Sequence, residues 1–371
     1  MAGSLEFLLP GDPMTATGGY AYDREILDQL SALGWQVRLH RLDAGFPLPD
    51  PTARAAAASV LAGLASNATV VIDGLALGAL PDELHAHAAR LRLVALIHHP
   101  LALETGLAPA LAQRLASQER RALAAVRRVI VTSESTAALL AGYGVAPARL
   151  AVVRPGTQRR VRARGGTDGT LQLLCVGSVV PRKGHAVLVR SLAGLRDRAW
   201  QLRCVGSLAR DPLTVQSLRR LIAATDLEQR VLLLGELDDR ALTVCYASAD
   251  AFVLASYMEG YGMALAEALA SGLPIISTRA GAIAQTVPPQ AGLLVEPGDE
   301  AALGQALARV MDDSGLRARL GEGDRLLAPL GGALEHREGA RHVAHAAQRG
   351  RGHAQPLHHA VWPQRAPLDR V

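Results

Sequence analysis

Residues 254–277 read LASYMEGYGMALAEALASGLPIIS. The stretch starts at the end of an apolar run of strand length. It passes through a polar loop with Gly260 and Gly262 and leads into a helix predicted over about Tyr261–Ser271. A helix start preceded by glycines presents free N–H groups and the positive end of a helix dipole to an anion, usually a phosphate. The pattern therefore predicts a strand–loop–helix unit of an α/β fold, with an anion site in the loop.

Two acidic residues lie eight positions apart in this stretch, Glu259 just before the helix and Glu267 inside it. At ~100° per residue they lie only ~80° apart around the axis and roughly 8–10 Å apart along it, so both can contact one elongated ligand. A carboxylate accepts hydrogen bonds from two neighbouring hydroxyls, which suits ribose hydroxyls at Glu267 and sugar hydroxyls at Glu259. The alternative, a solvated position for Glu267, is disfavoured by the apolar residues around it.

A second loop of the same kind occurs at residues 173–185, LLCVGSVVPRKGH. An apolar strand leads through Gly177 into a loop that holds Arg182 and Lys183. Adjacent arginine and lysine at the carboxyl end of a strand can clamp a diphosphate, the first with a planar fork and the second with a point charge. Lys183 is the one lysine among 39 basic residues, so a mechanism that needs a Schiff-base lysine has only this candidate.

Apolar runs of strand length recur along both halves of the chain, separated by Ala/Leu/Arg-rich stretches that read as helices, such as Tyr22–Leu33, Ala53–Leu64 and Pro109–Ala125. The predicted strands are Leu5–Leu9, Gln36–Leu39, Thr69–Ile72, Leu93–Ile97, Val129–Thr132, Leu171–Val176, Gln201–Val205, Val231–Leu234, Ala251–Leu254, Pro274–Ser277 and Gly292–Val295. Continuous apolar strands indicate burial on both faces, hence parallel sheets flanked by helices. The fold class is α/β, with two Rossmann-like domains whose strand ends face a central cleft.

Composition shifts set the predicted domain boundaries. The first Rossmann-like domain covers residues 1–155, an Arg/Gly-rich linker follows at 156–169, and the second domain covers 170–330. Residues 331–371 form an atypical His/Arg-rich tail that we expect to be poorly ordered and solvated rather than metal-binding. After Gly331 no apolar helix is predicted to cross back to the first domain.

Composition also excludes several classes of protein. Hydrophobic residues make up 49% and charged residues 20% of 371 residues, as in a globular chain with sizeable cores. The chain has no apolar run of the ~18–20 residues a membrane span needs, and its start lacks a signal-peptide pattern, so a cytoplasmic protein is expected. The cysteines Cys175, Cys204 and Cys245 lack metal-type spacing, which argues against a disulfide framework or a zinc site.

Charge is unevenly spread along the chain. Residues 1–165 hold 17 basic and 13 acidic side chains, an excess of four positive charges. A basic first domain suits an anionic acceptor or the inner face of a membrane, and the alternative is a set of solvated helix faces.

The motifs together resemble a known enzyme family. They are Gly177…Arg182-Lys183-Gly184, Glu259-Gly260-Tyr261-Gly262…Glu267, Gly281 after Thr278-Arg279, and the segment from Gly292 to Asp299. Residues 171–310 resemble the donor-binding domain of the retaining GT-B glycosyltransferases, in particular glycosyltransferase family 4, and the first domain resembles that family loosely. The resemblance implies a hexosyltransferase of cell-envelope or polysaccharide biosynthesis.

The resemblance also implies roles for residues of the second domain. Arg182 and Lys183 would bind the donor diphosphate and stabilise the leaving group, close to Gly177. Glu267 would hold the ribose, and Glu259 the transferred sugar. The amides of Gly260, Tyr261, Gly262 and Met263 would meet sugar hydroxyls or phosphate. The family generally needs no metal or other cofactor, and the absence of an Asp-x-Asp motif agrees with this.

In the first domain, Gly18 and Gly19 form a Gly-rich turn that resembles the family's loop near the phosphates and the acceptor. The alternative is an ordinary strand-to-helix turn. A family histidine that contacts the donor sugar is carried over to His98, with His99 as competitor, because both end an apolar strand. Ser133 is a candidate helix N-cap.

The predicted partners are a nucleotide-sugar donor, UDP- or GDP-linked, and the hydroxyl of a glycan, lipid or small-molecule acceptor, with no nucleic acid. Two other functions stay open: a sugar-nucleotide epimerase of related fold, and a catalytically impaired sugar-nucleotide-binding protein. The unusual tail motivates the second. A NAD dehydrogenase is disfavoured, because no Gly-x-Gly-x-x-Gly follows the first strand.

Overall fold

The computed structural model describes residues 3–157, 160–166, 169–323, 340–341 and 343–344. The predicted tail at 331–371 therefore lies outside the described residues, except for its four residues at 340–341 and 343–344. Part of the predicted linker, residues 158–159 and 167–168, lies outside them as well.

Twelve strands of the described chain form two six-stranded parallel sheets, as predicted. The first sheet has the order β2-β1-β3-β4-β5-β6. Its strands are β1 (Ser4–Pro10), β2 (Gln36–Leu42), β3 (Thr69–Asp73), β4 (Arg92–Ile97), β5 (Arg128–Val131) and β6 (Leu150–Val152). The second sheet has the order β12-β11-β10-β7-β8-β9. Its strands are β7 (Leu171–Val176), β8 (Trp200–Val205), β9 (Val231–Gly235), β10 (Ala251–Leu254), β11 (Ile275–Thr278) and β12 (Gly292–Val295).

Helices connect the strands and cover both sheets. They are α1 (Gly18–Ala32), α2 (Pro51–Gly63), α3 (Gly74–Leu77), α4 (Pro81–His87), α5 (Pro109–Ala125), α6 (Glu134–Ala141), α7 (His185–Ala193), α8 (Pro212–Ala224), α9 (Asp239–Ser248), α10 (Met263–Ala270), α11 (Ile283–Thr286), α12 (Glu300–Asp312) and α13 (Ser314–Glu322). Of these described helices, none is both long and apolar enough to cross a bilayer.

Every predicted strand is present, with its ends shifted by at most three residues. Strand β6 was not predicted, because three residues are too few to show a hydrophobic period. Helix α1 starts at Gly18, four residues earlier than predicted, because the Thr17 side chain accepts a hydrogen bond from Tyr20 N and caps the helix. Ser133 caps α6 as predicted, since its hydroxyl accepts from Thr136 N.

Apolar side chains cover both faces of the first sheet and form a third cluster around the second. Ala340, Val343 and Ala344 are buried in the cluster that also holds Tyr22 and Ile26 of α1. Residues after Gly331 therefore do pack on the first domain, although the sequence predicted no apolar helix there. These small residues gave no apolar period in the sequence, yet they fit close against the helix and the sheet.

Candidate active site

The two predicted loops lie side by side. Strand β10 pairs with β7 in parallel, so the loop after Leu254 and the loop after Val176 leave the same edge of the sheet. The chain continues from β7 to β8 on one side, while β10 lies on the other, so the two loops flank the point where the strand order reverses. Open α/β sheets bind their ligands at this point.

Lys183 and Glu259 form an ion pair between these loops. Nζ of Lys183 lies 2.6 Å from Oε1 of Glu259, and the Ser256 hydroxyl donates to the same oxygen at 2.6 Å. Arg182 Nη1 lies 3.7 Å from Oε2. Glu259 is 6% exposed. Burial opposes its charge, but Lys183 and Arg182 outweigh burial and hold the pKa of Glu259 below its usual value.

Two glycines allow this close packing of backbone. Gly184 has φ +66°, and a Cβ there would lie 2.0 Å from the carbonyl oxygen of Ala255. Gly281 has φ +57°, and its Cβ would lie 2.3 Å from the carbonyl oxygen of Glu259. Both positions therefore require glycine, which explains physically why the motifs contain it.

Arg182 connects the two domains. Its Nε donates to Glu104 of the first domain at 3.0 Å, and its Nη1 donates to the Met258 carbonyl at 2.8 Å. His99 Nε2 also lies 3.5 Å from Glu104. Burial opposes the charge of Glu104, but His99 and Arg182 lower its pKa to about 2. The Arg182 guanidinium, which was predicted to bind the donor diphosphate, is thus hydrogen-bonded to Glu104 across the cleft. Diphosphate binding by Arg182 stays a prediction.

Glu267 has partners that the sequence did not suggest. The Tyr246 hydroxyl donates to its Oε2 at 3.0 Å, and Arg160 Nη2 lies 3.1 Å from the same oxygen. The Arg160 guanidinium also lies over the Tyr246 ring, 4.7 Å from its centroid. Arg160 was not predicted as a site residue because it lies in the predicted linker, where hydrophobic periodicity does not indicate tertiary contacts.

His98 lies at the end of β4 and faces two buried aspartates. Its Nε2 is 3.1 Å from Asp23 Oδ1 and 3.5 Å from Asp73 Oδ2. Burial of the ring opposes its charge, but the charges and hydrogen bonds of the two carboxylates outweigh burial and raise the pKa of His98. Asp73 ends a predicted strand and was given no role. Asp23 lies within a helix and gave no signal of its own.

Of the predicted glycines of the first domain, Gly18 meets the second domain directly, and Gly19 packs on His98 of its own domain. A Cβ at Gly18 would lie 3.1 Å from Met263 Cγ, and one at Gly19 would lie 3.4 Å from His98 Cδ2. A Cβ at Gly260 would lie 2.0 Å from the His98 carbonyl oxygen. The amino ends of α1 and α10 therefore both face the cleft, where they favour an anion.

The remaining predicted residues lie in the same loops. Gly262 has φ +92° and is the N-cap of α10. The Tyr261 carbonyl accepts from Thr286 at 2.6 Å. A Cβ at Gly177 would lie 3.3 Å from the Lys183 side chain. These predicted residues lie in loops that face the cleft, and Glu267, within α10, packs with Tyr246 and Arg160.

Comparison with known proteins agrees with this geometry. Residues 158–326 match the family model of glycosyl transferases group 1, and residues 22–159 match that of Glycosyltransferase Family 4. The chain is 31% identical to an MMP alpha-(1->4)-mannosyltransferase of Mycolicibacterium hassiacum, over 76% of this chain and 71% of that protein. It is 34% identical to a GDP-mannose-dependent monoacylated alpha-(1-6)-phosphatidylinositol monomannoside mannosyltransferase of Corynebacterium glutamicum, over 49% of each.

A third relative is a D-inositol 3-phosphate glycosyltransferase of Pseudarthrobacter chlorophenolicus, which is 29% identical over 66% of this chain and 64% of that protein. Among solved structures, the sucrose-phosphate synthase of Thermosynechococcus elongatus has a TM-score of 0.73 at 23% identity, over 93% of this chain and 96% of that one. Anabaena Alr3699/HepE in complex with UDP-glucose has a TM-score of 0.74 at 17% identity, over 92% of this chain and 99% of that one. At these identities the structures support the fold alone.

The two facing Rossmann-like sheets define a GT-B fold. The chain belongs to the family 4 glycosyltransferases and is an enzyme of the hexosyltransferase class, as the sequence predicted.

Proposed function

We propose that this chain is a retaining glycosyltransferase that moves a hexose from a UDP- or GDP-sugar to a hydroxyl of a glycan, lipid or small molecule. The observation that carries the proposal is the buried Lys183–Glu259 pair, with Nζ 2.6 Å from Oε1, at the edge where the second sheet faces the first domain. The pair provides a cation for phosphate and an acceptor for sugar hydroxyls at one point.

Lys183 supports the charge that develops on the leaving group. Its ammonium has three N–H donors, and one bonds Glu259, so two can serve phosphate oxygens. The amino end of α10 adds partial positive charge without any reorganisation during the reaction. Negative charge grows on the departing diphosphate as the glycosidic bond breaks, and preorganised cations lower the free energy of that state.

The retaining course is proposed from the family resemblance. The acceptor hydroxyl would attack the face that the phosphate leaves, and the leaving phosphate would take its proton, so no side-chain base is assigned. The Arg182–Glu104 contact and the packing of Gly260 on His98 hold the domains together. Closure of this kind excludes water and limits hydrolysis of the donor.

The relatives indicate which donors to test first. Two of them are named mannosyltransferases, one of them GDP-mannose-dependent, so GDP-mannose stands beside UDP-glucose in the first panel. The excess of positive charge in residues 1–165 supports an anionic acceptor, either soluble or at the inner face of a membrane. We keep the prediction that no metal is required, which activity in excess EDTA would test.

The test begins with thermal unfolding in the presence of UDP-, GDP-, ADP- and TDP-sugars, because a ligand that binds the folded state raises Tm. The stabilising donor is then incubated with acceptors, and NMR assigns the anomeric configuration of the product. A product with the donor's configuration supports the proposal, and the opposite configuration contradicts the retaining course. An altered sugar nucleotide formed without acceptor identifies an epimerase.

The rival of a catalytically impaired binding protein was motivated by the lack of a crossing helix. Burial of Ala340, Val343 and Ala344 against the first domain speaks against that motive for the described part of the tail. Donor binding without turnover across a broad acceptor panel would favour this rival.

A further inference from the structure

A cluster of two thiols and an imidazole lies beneath the Lys183 loop. Cys175 of β7 and Cys204 of β8 are direct partners in the parallel sheet. His185, the first residue of α7, places Nε2 3.7 Å from Cys175 Sγ. The two sulfurs and one ring nitrogen lie within 4.8 Å of one another, and all three side chains are buried. Sequence spacing hid the cluster because only the fold brings these residues together.

The distances match those between ligands of one metal ion. Zn–S and Zn–N bonds of about 2.3 and 2.0–2.1 Å at tetrahedral angles place sulfur and nitrogen ligands about 3.6 Å apart and two sulfurs about 3.8 Å apart. The Cys175–His185 separation of 3.7 Å already meets this spacing. The remaining separations are at most 4.8 Å, so they need a contraction of about 1.2 Å at most.

The imidazole lacks adequate partners as it stands. His185 is 3% exposed, its Nδ1 has no hydrogen-bond partner among the described residues, and its Nε2 faces only a thiol, which hydrogen-bonds weakly. A buried polar ring held in this way costs free energy. A metal bond to Nε2 would offset that cost, and two thiolates with one imidazole are the donor set of soft cations.

We propose that Cys175, Cys204 and His185 bind one thiophilic d¹⁰ cation, of which zinc and cuprous ions are the biological representatives. Binding converts both thiols to thiolates and releases their two protons to solvent. The cation links β7, β8 and the start of α7. Because Lys183 lies two residues before His185, the cation also fixes the segment that carries the single lysine.

The test uses the reduced, EDTA-treated full chain and Cd²⁺ as the probe. Thiolate-to-cadmium charge transfer gives an ultraviolet band that imidazole binding does not, so the histidines of the tail do not contribute. We expect the band to saturate at about one Cd²⁺ per chain with release of about two protons. Competition with Zn²⁺ and with Cu⁺ then ranks the two biological ions.

Variants separate this site from other thiol binding. Cys175→Ala and Cys204→Ala should each weaken binding by more than the roughly 10–100-fold that loss of an outer partner costs, and His185→Gln should weaken it without removing thiolates. Cys245→Ala is the matched control, since Cys245 is a buried cysteine outside the cluster. It should keep the full band.

The proposal is overturned if the intact chain gives no saturable band, or if the band survives in both Cys175→Ala and Cys204→Ala. Loss of the band in Cys245→Ala also overturns it. Thermal unfolding in EDTA checks that each variant folds. If a cluster variant fails to fold, Cys245→Ala still tests the proposal. Only Cys175 and Cys204 remain in that variant, so a two-thiolate band must come from them.

Discussion

Nζ of Lys183 lies 2.6 Å from Oε1 of Glu259, so the one lysine of the chain neutralises the acid that is expected to hold the transferred sugar. Lys183 and Arg182 hold the pKa of the buried Glu259 carboxyl below its usual value. In the proposed complex, the donor would bind beside this existing ion pair. Its diphosphate would place negative charge next to Lys183, and its sugar hydroxyls would donate hydrogen bonds to Glu259. In this proposal the phosphate site at Lys183 and the sugar site at Glu259 act as one unit.

Replacing Lys183 with alanine should lower kcat by about 10²–10³, as expected for loss of a charge contact in the transition state. Glu259 is then left with weaker compensation, so Tm should fall too. Lys183→Arg, which keeps the charge but not the compact shape, should recover part of the activity. Arg190→Ala, at an exposed pair with Glu300 on the same segment, is the control. Near-normal turnover of Lys183→Ala contradicts the assigned role.

Replacing Glu267 with alanine should weaken donor binding by about 1.5–3 kcal/mol, the range for hydrogen bonds to a charged group. Calorimetry with the donor that stabilises the chain measures this. Tyr246→Phe removes only the hydroxyl that donates to Glu267 and should have a smaller effect. Glu300→Ala, an acid in an exposed pair, controls for loss of charge. Unchanged affinity in Glu267→Ala would remove this residue from the ribose site.

Sequence pattern was sufficient to predict two parallel sheets. Strands buried on both faces read as continuous apolar runs, and strand ends of parallel sheets meet at one edge. Lys183 and Glu259 each follow such a strand, so both could be expected at this edge, whereas the pairing of β10 with β7 that makes them neighbours is seen only in the structure. Strand β6 could not be found, because three residues carry no period.

Contacts between distant elements could not be predicted. Asp23 beside His98, Arg160 on Glu267 and Glu104 on Arg182 join residues between about 75 and 107 positions apart. The local hydrophobic pattern of a sequence does not indicate which residues so far apart come into contact. Small residues such as Ala340 also gave no signal, since their contribution comes from close approach and not from hydrophobic period.

Replacing Asp23 with asparagine should lower the pKa of His98. Asp23 is the nearer of the two carboxylates that favour the imidazolium, at 3.1 Å. A group whose pKa is raised on folding contributes stability that is present below its unfolded value of about 6.5 and lost as pH rises through the folded value. NMR titration of the ring should show the midpoint move toward about 6.5. Asp28→Asn, an exposed position of the same helix, should leave the midpoint unchanged. An unmoved midpoint in Asp23→Asn contradicts the assignment.

Replacing Glu104 with glutamine should favour the open arrangement of the domains, because it removes the charge that Arg182 contacts across the cleft. The pair is partly exposed, so we expect about 1 kcal/mol, roughly a fivefold change in the ratio of closed to open molecules. Small-angle scattering should report a larger radius of gyration. Glu134→Gln, which removes the Arg154 pair within the first domain, is the control. Equal radii for both variants would show that this contact does not hold the cleft closed.

Glu119 of α5 is fully buried, and its Oε1 has no partner among the described residues, while Oε2 accepts from Leu101 N at 3.1 Å. Burial raises its pKa to about 8. In the unfolded chain the carboxyl ionises near pH 4.5. The unfolded state therefore loses its proton first, and stability falls as pH rises from about 4.5 toward 8.

Glu119→Gln removes this ionisation and keeps the shape of the side chain. We expect it to raise the free energy of unfolding by about 1–3 kcal/mol at pH 7–8 and to have little effect near pH 4.5. Denaturant unfolding at both pH values measures the difference, and Glu228→Gln, at an exposed position, serves as the comparison. Leu101 N should keep its bond, because the amide oxygen of glutamine can accept it. A destabilised Glu119→Gln at pH 8 would mean that the ionised carboxylate is required by the fold, and would contradict the raised pKa.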